Sequence, residues 1–103
     1  MSTAMTVQSQ PSADGQALTI LVQGRFDFSA HKEFRASYEE TDVGRFVVDL
    51  GEATYLDSSA LGMLLLLRDH AGGDAAEIEI VNCNTEVRKI LTISNFEQLF
   101  EIH

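Results

Sequence analysis

Tryptophan is absent from the 103 residues, and proline and cysteine occur once each. A single cysteine, Cys83, excludes an intrachain disulfide. It follows Ile80 and Val81 at the end of an apolar run that reads as a buried strand, where inert packing fits better than catalysis or metal ligation. With one proline and 45% apolar residues, the chain is not wholly disordered. Positive charge is also scarce: 7 Lys and Arg stand against 16 Asp and Glu, a formal net charge of −9. That balance argues against nucleic acid and anionic membrane as partners, since both need basic patches. Acidity favours solubility, or a complementary basic partner. Long apolar runs are missing too. The longest, Met63 to Leu67, is too short to cross a bilayer, and Met1-Ser2-Thr3-Ala4-Met5 shows no basic leader. The expectation is one cytoplasmic domain over residues 1–103, with no direct membrane insertion.

What is present reads as alternating strands and helices. Met5 to Ser9 and Ala17 to Gln23 are short strands joined by Asp14-Gly15, a hairpin dipeptide. Gly24 closes the second strand, and Arg25-Phe26-Asp27-Phe28 follows as a loop. Ser29 caps a first helix running to Glu39 or Glu40, with Phe34 and Tyr38 four apart on its inner face. Phe46, Val47, Val48 and Leu50, interrupted only by Asp49, form a nearly continuous apolar run, the pattern of a strand covered on both faces. A second helix runs from Ser58 to a stop at Gly72-Gly73, apolar nearly all round and therefore deeply buried. Ile78 to Val81 make another strand. Thr85 to Thr92 form a helix with Val87, Ile90 and Leu91 inward, and Phe96 to Ile102 an apolar tail with a short edge strand. The fold class is α/β: a small mixed sheet of four to five strands covered by about three helices.

Catalytic constellations are lacking. Asp57 and Ser58 occupy the places before Ser59 that a nucleophile elbow would need differently. His70 lies about 16 Å along the same helix, beyond hydrogen-bond reach of Ser59. No His/Cys cluster has metal-ligand spacing and no phosphate-binding glycine loop exists, so neither a metal nor a cofactor is expected. The chain is not expected to be an enzyme. What remains is the pair of serines where a strand passes into an apolar helix. A helix N-terminus exposes unsatisfied N–H groups and carries roughly +0.5 of a charge. Asp57 or Ser58 can cap that helix, which leaves Ser59 redundant for capping. A phosphate on Ser59 would lie beside backbone N–H groups and add roughly two negative charges to a docking surface.

Val48-Asp49-Leu50, Tyr55-Leu56-Asp57-Ser58-Ser59-Ala60-Leu61-Gly62 and Gly24-Arg25-Phe26-Asp27 together resemble a STAS domain of the anti-sigma factor antagonist (anti-anti-sigma factor) type. The resemblance extends from about Met5 to His103. More loosely, the chain resembles single-domain antagonists found beside a receiver–phosphatase response regulator. It implies a partner-switching regulator of transcription and signal transduction, phosphorylated on Ser59 by a serine protein kinase that is often the anti-sigma factor itself. It also implies partner contacts through Asp27, Asp57, Ser58, Ser59 and Ala60, and dephosphorylation by a PP2C-type phosphatase. Ala60 replaces a frequent glycine of the family, and Ala30 a frequent threonine. STAS domains also serve as subunits of membrane-lipid transport ATPases, and such a subunit, indifferent to phosphorylation, is the alternative. A monomer is expected, and the longer C-terminal helix of some members is not.

Overall fold

The computed structural model describes residues 6–41 and 43–103. Five strands form one sheet in the order β1-β2-β3-β4-β5, so neighbours in sequence are neighbours in space. β1 (Thr6–Pro11) pairs antiparallel with β2 (Ala17–Phe26), and Ser12 N donates to Ala17 O at 2.9 Å to close the expected hairpin. Every later pairing is parallel. Parallel neighbours need a crossover, and a helix supplies each one. α1 (His31–Ala36) leads to β3 (Arg45–Leu56), α2 (Ser58–His70) to β4 (Ile78–Val81), and α3 (Thr85–Ile93) to β5 (Glu101–Ile102). This is the mixed α/β sheet with three helices expected from the sequence. Met5, read as part of the first strand, lies outside the described residues.

Alternation decides which side of the sheet is core. Leu18, Ile20 and Val22 of β2, Phe46, Val48 and Leu50 of β3, and Ile78 and Ile80 of β4 are all buried. Leu21, Val47 and Val81 point the other way and are only half-buried. The strand at Phe46 to Leu50, expected to be covered on both faces, is therefore covered on one. The helices lie on a single side, giving two layers.

β3 runs on to Leu56, well past the Leu50 end expected for it. Its pairing with β2 slips twice: Asp49 faces Leu21 but Glu52 faces Gln23, and Ala53 faces Gly24 but Tyr55 faces Arg25. Each slip places one extra residue on β3, a β-bulge. Buried positions accordingly pass from every second residue (Phe46, Val48, Leu50) to every third (Ala53, Leu56). That spacing fits neither a regular strand nor a helix, so it looks like a loop in the sequence. At the first bulge, a Cβ on Gly51 would lie 3.0 Å from Asn82 Cβ and 3.1 Å from Asp49 Oδ1, so a side chain there would have to displace a neighbour. Gly24 does not end β2. It takes φ +85° and the strand continues to the fully buried Phe26.

The first helix is shorter than expected and is not capped by Ser29. Asp27 starts a 3-10 turn (Phe28–Ala30), and α1 follows it directly. Phe34 and Tyr38 are both buried, with ring centroids 5.7 Å apart. α2 stops before Gly72-Gly73 as expected, but it is not buried all round. Ala60, Met63, Leu64 and Leu67 face the core, while Leu65 and Leu66 are 42% and 50% exposed. A helix in a two-layer fold must turn one face outward. In α3, Val87 and Leu91 are buried and Asn84 caps the helix, accepting the Val87 amide at 2.9 Å. Burial pushes the Cys83 thiol up from its ordinary value, consistent with an inert side chain.

Candidate functional site

β2 and β3 end side by side, Phe26 against Leu56, and each passes into a helical turn through an aspartate. Asp57 has extended backbone, and its Oδ1 accepts the Ala60 amide at 3.1 Å. Asp27 has the same extended backbone, and its Oδ1 accepts both the amide of Ser29, at 3.0 Å, and its hydroxyl. The segments Phe26-Asp27-Phe28-Ser29-Ala30 and Leu56-Asp57-Ser58-Ser59-Ala60 correspond position by position. Each has a buried apolar residue, a capping aspartate, an exposed residue, a serine and a fully buried alanine. The hydroxyls differ in state. That of Ser29 is donated to Asp27, whereas those of Ser58 and Ser59 make no intramolecular hydrogen bond among the described residues.

Capping by Asp57 has a chemical consequence. Ser58 and Ser59 become the first two residues of α2, whose amides have no acceptor within the helix. Both serines therefore stand in the first turn, at the electropositive end of the helix. Ser58 is exposed and Ser59 half-buried. Ala60 is fully buried, so its methyl belongs to the core and presents no side-chain surface. Within the first turn of α2 no residue is acidic, so the capping carboxylate of Asp57 is the negative charge that an added anion would meet there.

Asp27 is fixed from three sides. The Ser29 hydroxyl, the Ser29 amide and Arg25 together hold its carboxyl below the usual carboxylate range, the hydroxyl contributing most. Arg25 Nε lies 3.4 Å from Asp27 Oδ2, and its guanidinium carbon sits 4.3 Å above the centre of the Tyr55 ring. The Arg25 side chain is 65% exposed, so these contacts orient it more than they stabilise the fold.

An outward apolar face continues from the serines. Gly62, Leu65 and Leu66 follow Ser58 and Ser59 along the exposed side of α2. Phe28, 71% exposed, stands on the neighbouring turn and stacks on His31 at 5.6 Å. Thus Asp27, Asp57, Ser58, Ser59 and Ala60 all lie where β2 and β3 hand over to helices; exposed Phe28 on the turn after Asp27, and Leu65 and Leu66 about two turns along α2, are apolar surface that the sequence does not single out. The signal was available in the run Met63 to Leu67, which has more apolar positions than one buried face can use.

His70 lies at the other end of α2, packed 5.0 Å from the Tyr38 ring and 6.2 Å from the Phe46 ring. Its Nε2 is 3.4 Å from Thr41 O. Among the described residues no group of His, Cys, Asp and Glu is arranged to hold a metal, and no helix is long and apolar enough to cross a membrane.

The chain is similar to known proteins over nearly its whole length. The family described as Mlab, STAS domain matches residues 9–101. A STAS-domain containing protein of Pseudomonas aeruginosa is 67% identical over 100 residues, covering 95% of this chain and 99% of that protein. A solved antisigma-factor antagonist STAS domain from Rhodobacter sphaeroides is 25% identical, with a TM-score of 0.64 over 78% of this chain and 88% of that one. The anti-sigma factor antagonist SpoIIAA in its unphosphorylated form shares the fold with a TM-score of 0.78 at 19% identity, over 95% of this chain and 88% of its own. The phosphorylated form of SpoIIAA, from Bacillus, gives 0.70 at 17% identity over 95% and 91%.

Proposed function

The chain belongs to the STAS-domain family, and on that premise we propose that it is an anti-sigma factor antagonist gated by reversible phosphorylation of Ser59. The observation that carries this is the division of labour at the start of α2: Asp57 caps the helix, and the Ser59 hydroxyl makes no intramolecular hydrogen bond among the described residues. An added phosphate would meet unpaired first-turn amides, which favour an anion, so the fold tolerates it. A partner seated on Phe28, Leu65, Leu66 and the serine end would meet about two new negative charges at its margin and be displaced. Similarity to the solved antisigma-factor antagonist STAS domain, at 25% identity, supports an anti-sigma factor as that partner. A serine protein kinase would write the mark and a PP2C-type phosphatase, in some systems linked to a receiver domain, would erase it. The protein then acts in the cytoplasm as substrate and ligand, with Asp27 fixed on the adjacent strand end as part of the kinase- and partner-facing surface.

Incubation with the cognate kinase and ATP, followed by mass-spectrometric mapping, tests the site. Phosphate on Ser59 is expected; label confined to Ser58, or none, would reject the assignment. The alternative, a constitutive STAS subunit of a membrane-lipid transport ATPase, is favoured by the apolar character of the α2 face, since permanent interfaces are the more hydrophobic ones. Affinity purification separates the two. A complex with an ATPase subunit that is unchanged between Ser59→Ala and Ser59→Asp would establish the transport role.

A further inference from the structure

A second surface lies on α3, built from residues outside the Asp27 and Ser59 end. Thr85, Arg88, Lys89, Thr92 and Ile93 line a shallow groove of about 430 Å³, with Cys83 at its edge. These five follow helical spacing on one face of α3, while Val87 and Leu91 point to the core. Ile93 is 72% exposed, the most exposed of the large apolar side chains described. Packing within the chain does not account for it.

Charge sets this surface apart from the rest. The chain carries 7 Lys and Arg against 16 Asp and Glu. Arg25, Arg35, Arg45 and Arg68 are each paired to a carboxylate, with Asp27, Glu39, Glu79 and Asp74 respectively. Among the described residues Lys32 on α1, Arg88 and Lys89, all exposed, form no ion pair, and of these only Arg88 and Lys89 are adjacent. Two adjacent unpaired cations beside an open apolar groove are thus concentrated on one helix face of an otherwise acidic molecule. An acidic segment would be repelled by most of this protein and attracted here.

We propose that this face of α3 is a docking surface for an acidic protein segment carrying an apolar anchor. The anchor seats against Ile93 and Thr92, and flanking carboxylates meet Arg88 and Lys89. The surface is independent of the Ser59 switch, so one protein can hold two partners, or two parts of one partner, at once.

The test is an NMR titration of isotope-labelled protein with a short acetylated peptide of glutamates around a central pair of leucines, against a control with lysines in place of the glutamates. Shift changes are expected at Thr85–Ile93 and Cys83, weakening as salt is raised, with the control inert. Arg88→Glu with Lys89→Glu should lower affinity at least about tenfold without changing the fold, because both positions are exposed. Ile93→Ser should lower it separately, which a purely ionic attraction would not. Changes centred on Leu65 and Leu66, equal binding of the lysine peptide, or no change up to millimolar peptide would each overturn the proposal.

Discussion

Replacing Asp57 by alanine removes the cap that leaves Ser59 free, and its cost can be worked from the geometry. Oδ1 accepts the Ala60 amide at 3.1 Å in a partly buried setting at the start of a 13-residue helix. Loss of an N-cap costs about 0.5–2 kcal/mol, and a negative charge at a helix N-terminus contributes about 0.3–1 kcal/mol of that interaction. The two overlap, so Asp57→Ala should cost about 1–2 kcal/mol. For a domain of this size each kcal/mol moves Tm by about 4–8 °C, so a fall of about 4–16 °C is expected. Asp57→Asn keeps the acceptor and should lose only the charge contribution, about 0.3–1 kcal/mol. Ser58→Ala and Ser59→Ala, whose hydroxyls hold nothing, should stay within about 0.5 kcal/mol of wild type. Urea and thermal unfolding followed by circular dichroism measure all four variants. If Ser59→Ala proved as costly as Asp57→Ala, the serine would be part of the cap, and the reasoning that frees it for phosphate would be wrong.

Asp27 should protonate at lower pH than a free aspartate, because its folded value is depressed, chiefly by the Ser29 hydroxyl. Its contribution to stability is therefore present above the unfolded pKa and lost as pH falls through the lower folded value. An NMR titration of the carboxyl carbons checks this, and Ser29→Ala should move the midpoint upward; an unmoved midpoint would exclude the hydroxyl as the cause. Leu64→Ala, at a fully buried position, should cost about 2–5 kcal/mol, whereas Leu66→Ala, half exposed, should stay within about 0.5 kcal/mol yet weaken the partner complex. Gly51→Ala should destabilise by about 1–3 kcal/mol, because the new Cβ must push against Asn82 at 3.0 Å; a neutral result in urea unfolding would mean that the bulge can relax.

Local chemistry was legible in the sequence where one residue type performs one task. Asp14-Gly15 marks the hairpin, Gly72-Gly73 the end of α2, and the Phe34 and Tyr38 pair the buried side of α1 and of the turn that follows it. Features that depend on a partner strand were not. The two bulges in β3 shift the buried positions from Leu50 to Ala53 to Leu56, and only the opposing strand shows that this spacing is still sheet. The same holds for coverage: Phe46-Val47-Val48 reads identically whether helices lie on one side or both. At the site, Asp57 is recognisable as a capping residue, but Ser29 caps nothing: Asp27, two residues earlier, caps the 3-10 turn that leads into α1, and α1 itself has no side-chain cap. Either side chain is chemically able to cap, and the choice is made by where the backbone leaves β2. Leu65 and Leu66 were misread for a related reason, since an all-apolar helix announces burial and only the layer count reveals which face has no cover.

The central claim is that a phosphate on Ser59 gates docking at the start of α2. It is tested most directly by calorimetric titration of the anti-sigma partner with unmodified protein and with protein stoichiometrically phosphorylated at Ser59. The unmodified form should bind and the phosphorylated form should bind about tenfold more weakly or worse, with phosphatase treatment restoring the first value. Equal affinities for the two forms, with phosphate verified on Ser59, would contradict it.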